Sequence, residues 1–201
     1  MFNTDFMSEA LTRHPFQSAV AEFHRACGLT VGETPGLRDR ELRASLIAEE
    51  AREVAEALES GDLSHSVAEL CDLYYVVYGS AVTFGLTLIP SPPSPIAESV
   101  ALRNGKEWAI RMRGLGDTAA ENIRTYGLSI VQANLEYLVR AVDECFAVFG
   151  LEPTLFFAAI HAANMLKASG PRRADGKILK PVGWQPADIT GLLRAAEATA
   201  S

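Results

Sequence analysis

The sequence predicts an all-α fold. Three observations carry that expectation. Apolar residues recur at helical spacing in one long segment after another; no segment alternates apolar and polar residues as a half-buried strand does; and glycine, proline and aspartate fall at intervals suited to helix ends. Residues 1–15 read as an N-terminal arm. Residues 16–26 place Phe16, Val20 and Phe23 on one face and stop at Gly28, and "GLTVGETPG" follows as a loop. Residues 37–59 carry Leu42, Leu46, Val54 and Leu58 along one stripe. Asp62 or Ser64 can cap the next helix, which runs to about Phe84. "IPSPPSP" at 89–95 suits neither helix nor central strand, because proline lacks a donor and fixes its backbone angle. It is the clearest internal boundary. Residues 97–112 read as helix interrupted by "GLG" at 114–116, and 118–149 as one or two helices with a possible break at Gly127. Pro153 suits the first turn of a helix ending near Gly170. Asp175-Gly176 marks a turn inside "RRADGKILKPVGW", and Pro186 is expected to open a short last helix.

The core expected from these elements is four-helix-bundle-like and antiparallel. Residues 16–189 form one domain in this reading, with 88–154 a helical insertion or degenerate repeat and 190–201 the end of the last helix. A length of 201 residues is ample for one core. The net charge of -7 argues against broad binding to nucleic acid or an anionic membrane. Three cysteines, Cys27, Cys71 and Cys145, do not suit a disulfide framework, and the N-terminus lacks a signal-peptide pattern. A cytoplasmic location is therefore expected. No uninterrupted apolar run is long enough to span a bilayer.

Five carboxylates interrupt this pattern. Glu49 and Glu50 each share a helix face with Glu53, close to the apolar stripe; Glu69 and Asp72 share another, on a segment that is apolar almost all round. Carboxylates in such surroundings are costly unless paired or bound to metal. Arg43 and Arg52 are the cations nearby in sequence. Carboxylates converging from two antiparallel helices suit a hard divalent cation, magnesium first and manganese as its substitute. The other reading is a solvated acidic face with one structural ion pair.

A basic cluster stands apart from them. Asn164 and Lys167 share a helix face, and Arg172, Arg173, Lys177 and Lys180 fall within nine residues. Carboxylates on one side and cations on the other suit a metal–triphosphate complex, against a solvated basic loop as the plainer account. His24, His65 and His161 have no ligand spacing and read as structural or peripheral.

Displacing the chain against itself by 65 positions pairs residues 37–86 with 102–151, and 14 of 50 positions are identical. Glu49, Glu50, Glu53, Glu69 and Asp72 then face Gly114, Leu115, Thr118, Asn134 and Tyr137. The expectation is a duplication whose second half has lost every carboxylate of the first; an unrelated helical insertion is the alternative.

Glu-Glu-x-x-Glu followed by Glu-x-x-Asp on the next helix resembles the all-α nucleotide pyrophosphohydrolases, the MazG-like superfamily. "FHRACGLTVGETP", "NMLK", "DGKILK" and "WQPADI" are similar to its phosphoribosyl-ATP-pyrophosphohydrolase-like branch. Trp184 stands where that branch usually has tyrosine, and Ala187 where proline is common. The resemblance implies a magnesium-dependent enzyme that cleaves a nucleoside triphosphate to the monophosphate and pyrophosphate. It assigns Glu50, Glu53, Glu69 and Asp72 to the metal and Glu49 to general-base work. Asn164, Lys167, Asp175, Lys177, Lys180 and Trp184 fall to the substrate. It also implies a house-cleaning role with dUTP as the leading single substrate and a homodimer as the assembly. Phosphoribosyl-ATP pyrophosphohydrolase is the alternative enzyme, and a non-catalytic metal-binding helical partner protein the alternative of another class.

Overall fold

The computed structural model describes residues 14–32, 36–89 and 105–200. Among them are seven α-helices: α1 Pro15–Ala26, α2 Leu37–Ser60, α3 Leu63–Phe84, α4 Gly105–Thr125, α5 Leu128–Phe149, α6 Pro153–Met165 and α7 Ile189–Ala200, with a short 3₁₀ turn at Leu166–Ser169. Pairing of β type among the described residues is confined to one isolated bridge, Arg172 with Ile178. The all-α expectation holds.

Helix α3 is the central element. It packs against α1, α2, α5, α6 and α7, and every residue from Leu73 to Phe84 except Val76 is buried. An all-round apolar sequence has this consequence, since no face can be left to water. Beyond its first turn, its less buried residues, Ala68, Glu69, Asp72 and Val76, share one face. Helix α2 packs along α4, and α3 meets α5, so the hairpins α2–α3 and α4–α5 together form a four-helix core. An aromatic cluster of Phe16, Tyr74, Phe146 and Phe157 ties α1, α3, α5 and α6 together, with the Phe16 and Phe157 rings stacked 3.9 Å apart. No single helix among the described residues is long and apolar enough to cross a membrane. The three cysteines are free and buried.

Helix ends follow local chemistry. The Asp62 side chain caps α3 by accepting from the His65 N–H at 3.0 Å. Gly127, in extended conformation, separates α4 from α5, so the 118–149 stretch belongs to two helices. Pro153 occupies the first turn of α6. Pro15 belongs to α1 rather than to the arm, and His14 caps that helix. The last helix begins at Ile189 rather than at Pro186; Asp188 takes the cap, accepting from the Gly191 N–H at 2.9 Å. Residues 1–13, 90–95 and 97–104 of the sequence reading lie outside the described residues.

The expected interruption at "GLG" does not occur: α4 runs through Gly114, Leu115 and Gly116. The reason is tertiary. A Cβ on Gly116 would stand 2.2 Å from the Ala51 Cβ, so glycine is what lets α4 lie this close to α2. Gly116→Ala, usually favourable in a helix interior, is expected to destabilise the protein by about 1–3 kcal/mol through overpacking. Urea unfolding measures it, and an unchanged or raised midpoint would show that α2 and α4 are not locked together here.

The hairpins correspond in register. Helices α3 and α5 have limits 65 residues apart, 63–84 and 128–149, as do the ends of α2 at Ser60 and α4 at Thr125. Gly85 and Gly150 close them in the same left-handed conformation, with Leu86 N–H on the Ala81 carbonyl at 2.9 Å and Leu151 N–H on the Phe146 carbonyl at 3.0 Å. This correspondence supports the duplication, which we retain as a proposal.

Candidate metal and phosphate site

One cavity of about 410 Å³ collects most of the residues singled out by the sequence. Glu49, Glu50 and Glu53 reach it from one stretch of α2, and Glu69 and Asp72 from the facing turn of α3. Asn164 at the end of α6, Lys167 in the 3₁₀ turn, and Lys177 and Lys180 in the following loop form the opposite wall.

Glu50, Glu69 and Asp72 each offer a carboxylate oxygen, and the three oxygens lie within 4.8 Å of one another. Glu53 lines the same cavity outside this triad and is drawn toward Arg52 at 3.6 Å, while Arg52 pairs more closely with Glu56 at 2.7 Å. The triad is electrostatically loaded. Burial, then the charges of Asp72 and Glu53, push the Glu50 carboxyl up to about 8 against the pull of Lys177. Burial also raises Asp72, opposed by Lys167 and Lys180, and raises Glu69, aided by Asp72 and Glu53. The second hairpin handles buried charge differently. Its Glu144 is held by Arg111 at 2.6 Å and Arg140 at 3.1 Å. Among the described residues the carboxylates of the first hairpin have no such arginine fork, and a cluster of oxygen donors of this kind can hold a divalent metal ion.

The loop opposite is a small hairpin. The Arg173 N–H donates to the Lys177 carbonyl at 2.8 Å, and the turn predicted at Asp175-Gly176 closes the hairpin. Arg172 anchors the loop by donating to the Cys27 carbonyl. Asp175 does not line the cavity; it accepts from Arg173 at 2.6 Å and from the Lys177 N–H at 3.1 Å, and these bonds hold its carboxyl down at about 2. Lys177 Nζ donates to Glu49 at 2.9 Å and lies 3.9 Å from Glu50. Arg173 approaches Glu49 at 3.9 Å. Asn164 hydrogen-bonds the Asp72 carboxylate. Trp184 stands behind the cavity wall: its indole N–H donates to the Ala163 carbonyl at 2.7 Å, and its ring carries Lys167 at 5.0 Å and Lys180 at 4.5 Å.

Sequence reasoning missed part of this cavity. His24, read as structural or peripheral, is buried in its wall, and Arg43, considered as a partner for the carboxylates, lines it too. Tyr75 joins them, with its hydroxyl 3.0 Å from His161 Nδ1. His65 lies 3.3 Å from Glu69, one helical turn away. The i, i+4 spacing of His65 and Glu69 was the available signal.

The raised Glu50 carboxyl has a thermodynamic consequence. It ionises near 4.5 ordinarily and near 8 in the fold. Between those values the native state holds a proton that the unfolded chain has released. The stability this provides is complete below the lower value and is lost as pH rises through the higher one. Chelator-treated protein should therefore melt at lower temperature as pH is raised across that window, and magnesium should recover more stability at the alkaline end. Glu50→Gln should flatten the profile. A magnesium effect independent of pH would count against ionised carboxylates as the binding groups.

Residues 20–104 match the family model of phosphoribosyl-ATP pyrophosphohydrolase. The match spans α2, α3 and all five carboxylates, and ends before Asn164 and the basic loop. A search of curated proteins gave no significant match. Sequence motif, helical architecture and family match agree over α2 and α3: residues 20–104 are similar to a phosphoribosyl-ATP pyrophosphohydrolase domain, a family of the all-α nucleoside triphosphate pyrophosphohydrolases, which act on phosphoric anhydrides.

Proposed function

We propose that the protein is a magnesium-dependent nucleotide pyrophosphohydrolase that splits the bond between the α-phosphorus and the bridging oxygen to the β-phosphate. Water supplies the new oxygen on the α-phosphorus, and the products are a nucleoside monophosphate and pyrophosphate. The observation that carries this reading is the cavity itself, with carboxylates of α2 and α3 on one wall and Lys167, Lys177 and Lys180 on the other. When bound, magnesium supplies charge neutralisation and Lewis acidity at the phosphate oxygens.

Each side chain has a role in this account. Glu50, Glu69 and Asp72, joined by Glu53, hold the metal. Asn164 orients Asp72 through its hydrogen bond. Glu49 accepts the proton of the attacking water once Lys177 turns from it toward substrate phosphate. Lys167 and Lys180 meet the phosphates from the opposite side, steadied by the Trp184 ring. That places Trp184 as a support for substrate-binding lysines, and Asp175 as the residue that shapes the turn presenting Lys177.

The family match favours phosphoribosyl-ATP over the dUTP and house-cleaning role that the sequence reading put first. Pyrophosphate release should be assayed with phosphoribosyl-ATP beside dUTP and the other common deoxynucleotides. Preferred turnover of phosphoribosyl-ATP is the expected result. Preferred dUTP turnover would restore the first assignment, and magnesium binding without turnover of any nucleotide would identify a non-catalytic metal-binding protein. The homodimer is likewise a proposal, and light scattering measures it.

A further inference from the structure

At one end of the cavity Arg43 is 6% exposed, and among the described residues its guanidinium makes no hydrogen bond or ion pair. The charge of Asp39, one turn earlier, gives it only distant support. Burying a cation without a partner is costly, so a group with five fixed donors facing a cavity marks a place where a ligand supplies the acceptors. Beside it stands His24, whose Nδ1 lies 2.9 Å from the Thr30 carbonyl. A carbonyl can only accept, so Nδ1 carries the proton and Nε2 presents a bare lone pair. Burial and Arg43 keep the ring neutral, at about 4. Both groups rest on Gly79 of α3: a Cβ there would lie 2.8 Å from Arg43 Nη1 and 3.2 Å from His24 Nε2. Donor and acceptor thus sit side by side against Gly79, and both side chains line the cavity while the glycine behind them does not. Phe23, Leu29, Leu46 and Val76 supply apolar walls in the same cavity.

We propose that Arg43 and His24 form a subsite that reads the edge of the substrate's heterocycle, Arg43 donating to a carbonyl oxygen or ring nitrogen and His24 Nε2 accepting from the adjacent N–H. This rests on the nucleotide reading of the cavity given above. Three observations favour a heterocycle over a further phosphate. The His24 lone pair would repel a phosphate oxygen. The three lysines that the proposed function assigns to phosphate line the wall facing the carboxylates. Arg43 precedes Glu50 by seven residues on α2, about 10 Å along the axis, so the subsite is offset from the triad by roughly the span of a nucleoside.

The test is a binding cycle. Calorimetry with magnesium present compares a non-hydrolysable α,β-imido nucleoside triphosphate with the corresponding ribose triphosphate that lacks a heterocycle. Each is titrated into the wild-type protein, Arg43→Met and Arg43→Lys; Met fills the volume without a charge, and Lys keeps the charge without the fork. Removing the heterocycle should weaken binding to the wild type about tenfold or more, and should weaken binding to Arg43→Met by less than about twofold. Arg43→Lys should fall between them. Equal losses in wild type and variants would overturn the subsite, because Arg43 would then act on phosphate or on the fold. Wild type that binds neither ligand would instead overturn the nucleotide reading itself. A variant that melts near the wild-type temperature suffices for the cycle, and should neither fold, N-methylation of the heterocycle edge must cost the wild type a similar factor or the proposal fails.

Discussion

Asp72→Asn is expected to lower turnover by about 10³-fold or more while raising the thermal stability of chelator-treated protein. The two effects have opposite sign because the same charge serves one state and burdens the other. Asp72 belongs to the oxygen triad with Glu50 and Glu69. A metal ion contributes several kcal/mol to a phosphoryl-transfer transition state, and each 1.36 kcal/mol is tenfold in rate, so losing one of the three proposed ligands should be severe. Without metal, burial and the neighbouring Glu53 charge raise the Asp72 carboxyl, which means that ionising it costs the fold stability. Asparagine removes that charge and keeps an oxygen for the Asn164 hydrogen bond. Magnesium calorimetry, steady-state kinetics and melting with chelator separate the terms. Near-normal turnover at saturating magnesium would remove Asp72 from the ligand set. A fall in stability without metal would mean that Asp72 is a structural partner of Asn164 rather than a strained ligand.

The parts of this molecule that were legible in its sequence are those governed by local chemistry. Asp62, Gly127 and Pro153 mark helix ends because caps and fixed backbone angles act within a turn of where they stand. The carboxylates on α2 and α3 were legible because spacings of three and four residues put side chains on one face whatever the rest of the fold does. What escaped depends on contacts between helices. Gly116 looks like a helix stop, yet its missing side chain is read by Ala51 across the α2–α4 interface. His24, Arg43 and Gly79 lie on three different helices and meet only after packing. No interval in the sequence connects them. Trp184 was legible as part of a motif, but its contribution through the two lysines depends on how the last loop folds back over α6.

Glu49→Gln is expected to reduce kcat by about 10²–10⁴-fold, the usual contribution of a positioned general base, with little change in magnesium affinity. Successive helical residues point about 100° apart, so Glu49 and Glu50 cannot address one metal site equally. The geometry distinguishes them. Glu50 is 8% exposed and belongs to the oxygen triad, whereas Glu49 lies outside it and pairs with Lys177 at 2.9 Å. That contact leaves the Glu49 carboxylate occupied. In the proposed mechanism triphosphate competes for Lys177, and once the lysine turns to phosphate the carboxylate is free to take a proton from water at the edge of the site. Glutamine keeps the shape and cannot take the proton. Glu50→Gln should damage metal binding and turnover together. Single-turnover kinetics beside magnesium titration decides the assignment: if Glu49→Gln loses metal while Glu50→Gln retains it, the two roles are exchanged, and if Glu49→Gln turns over normally, the proton goes elsewhere and the Lys177 pair is a structural clasp on the loop.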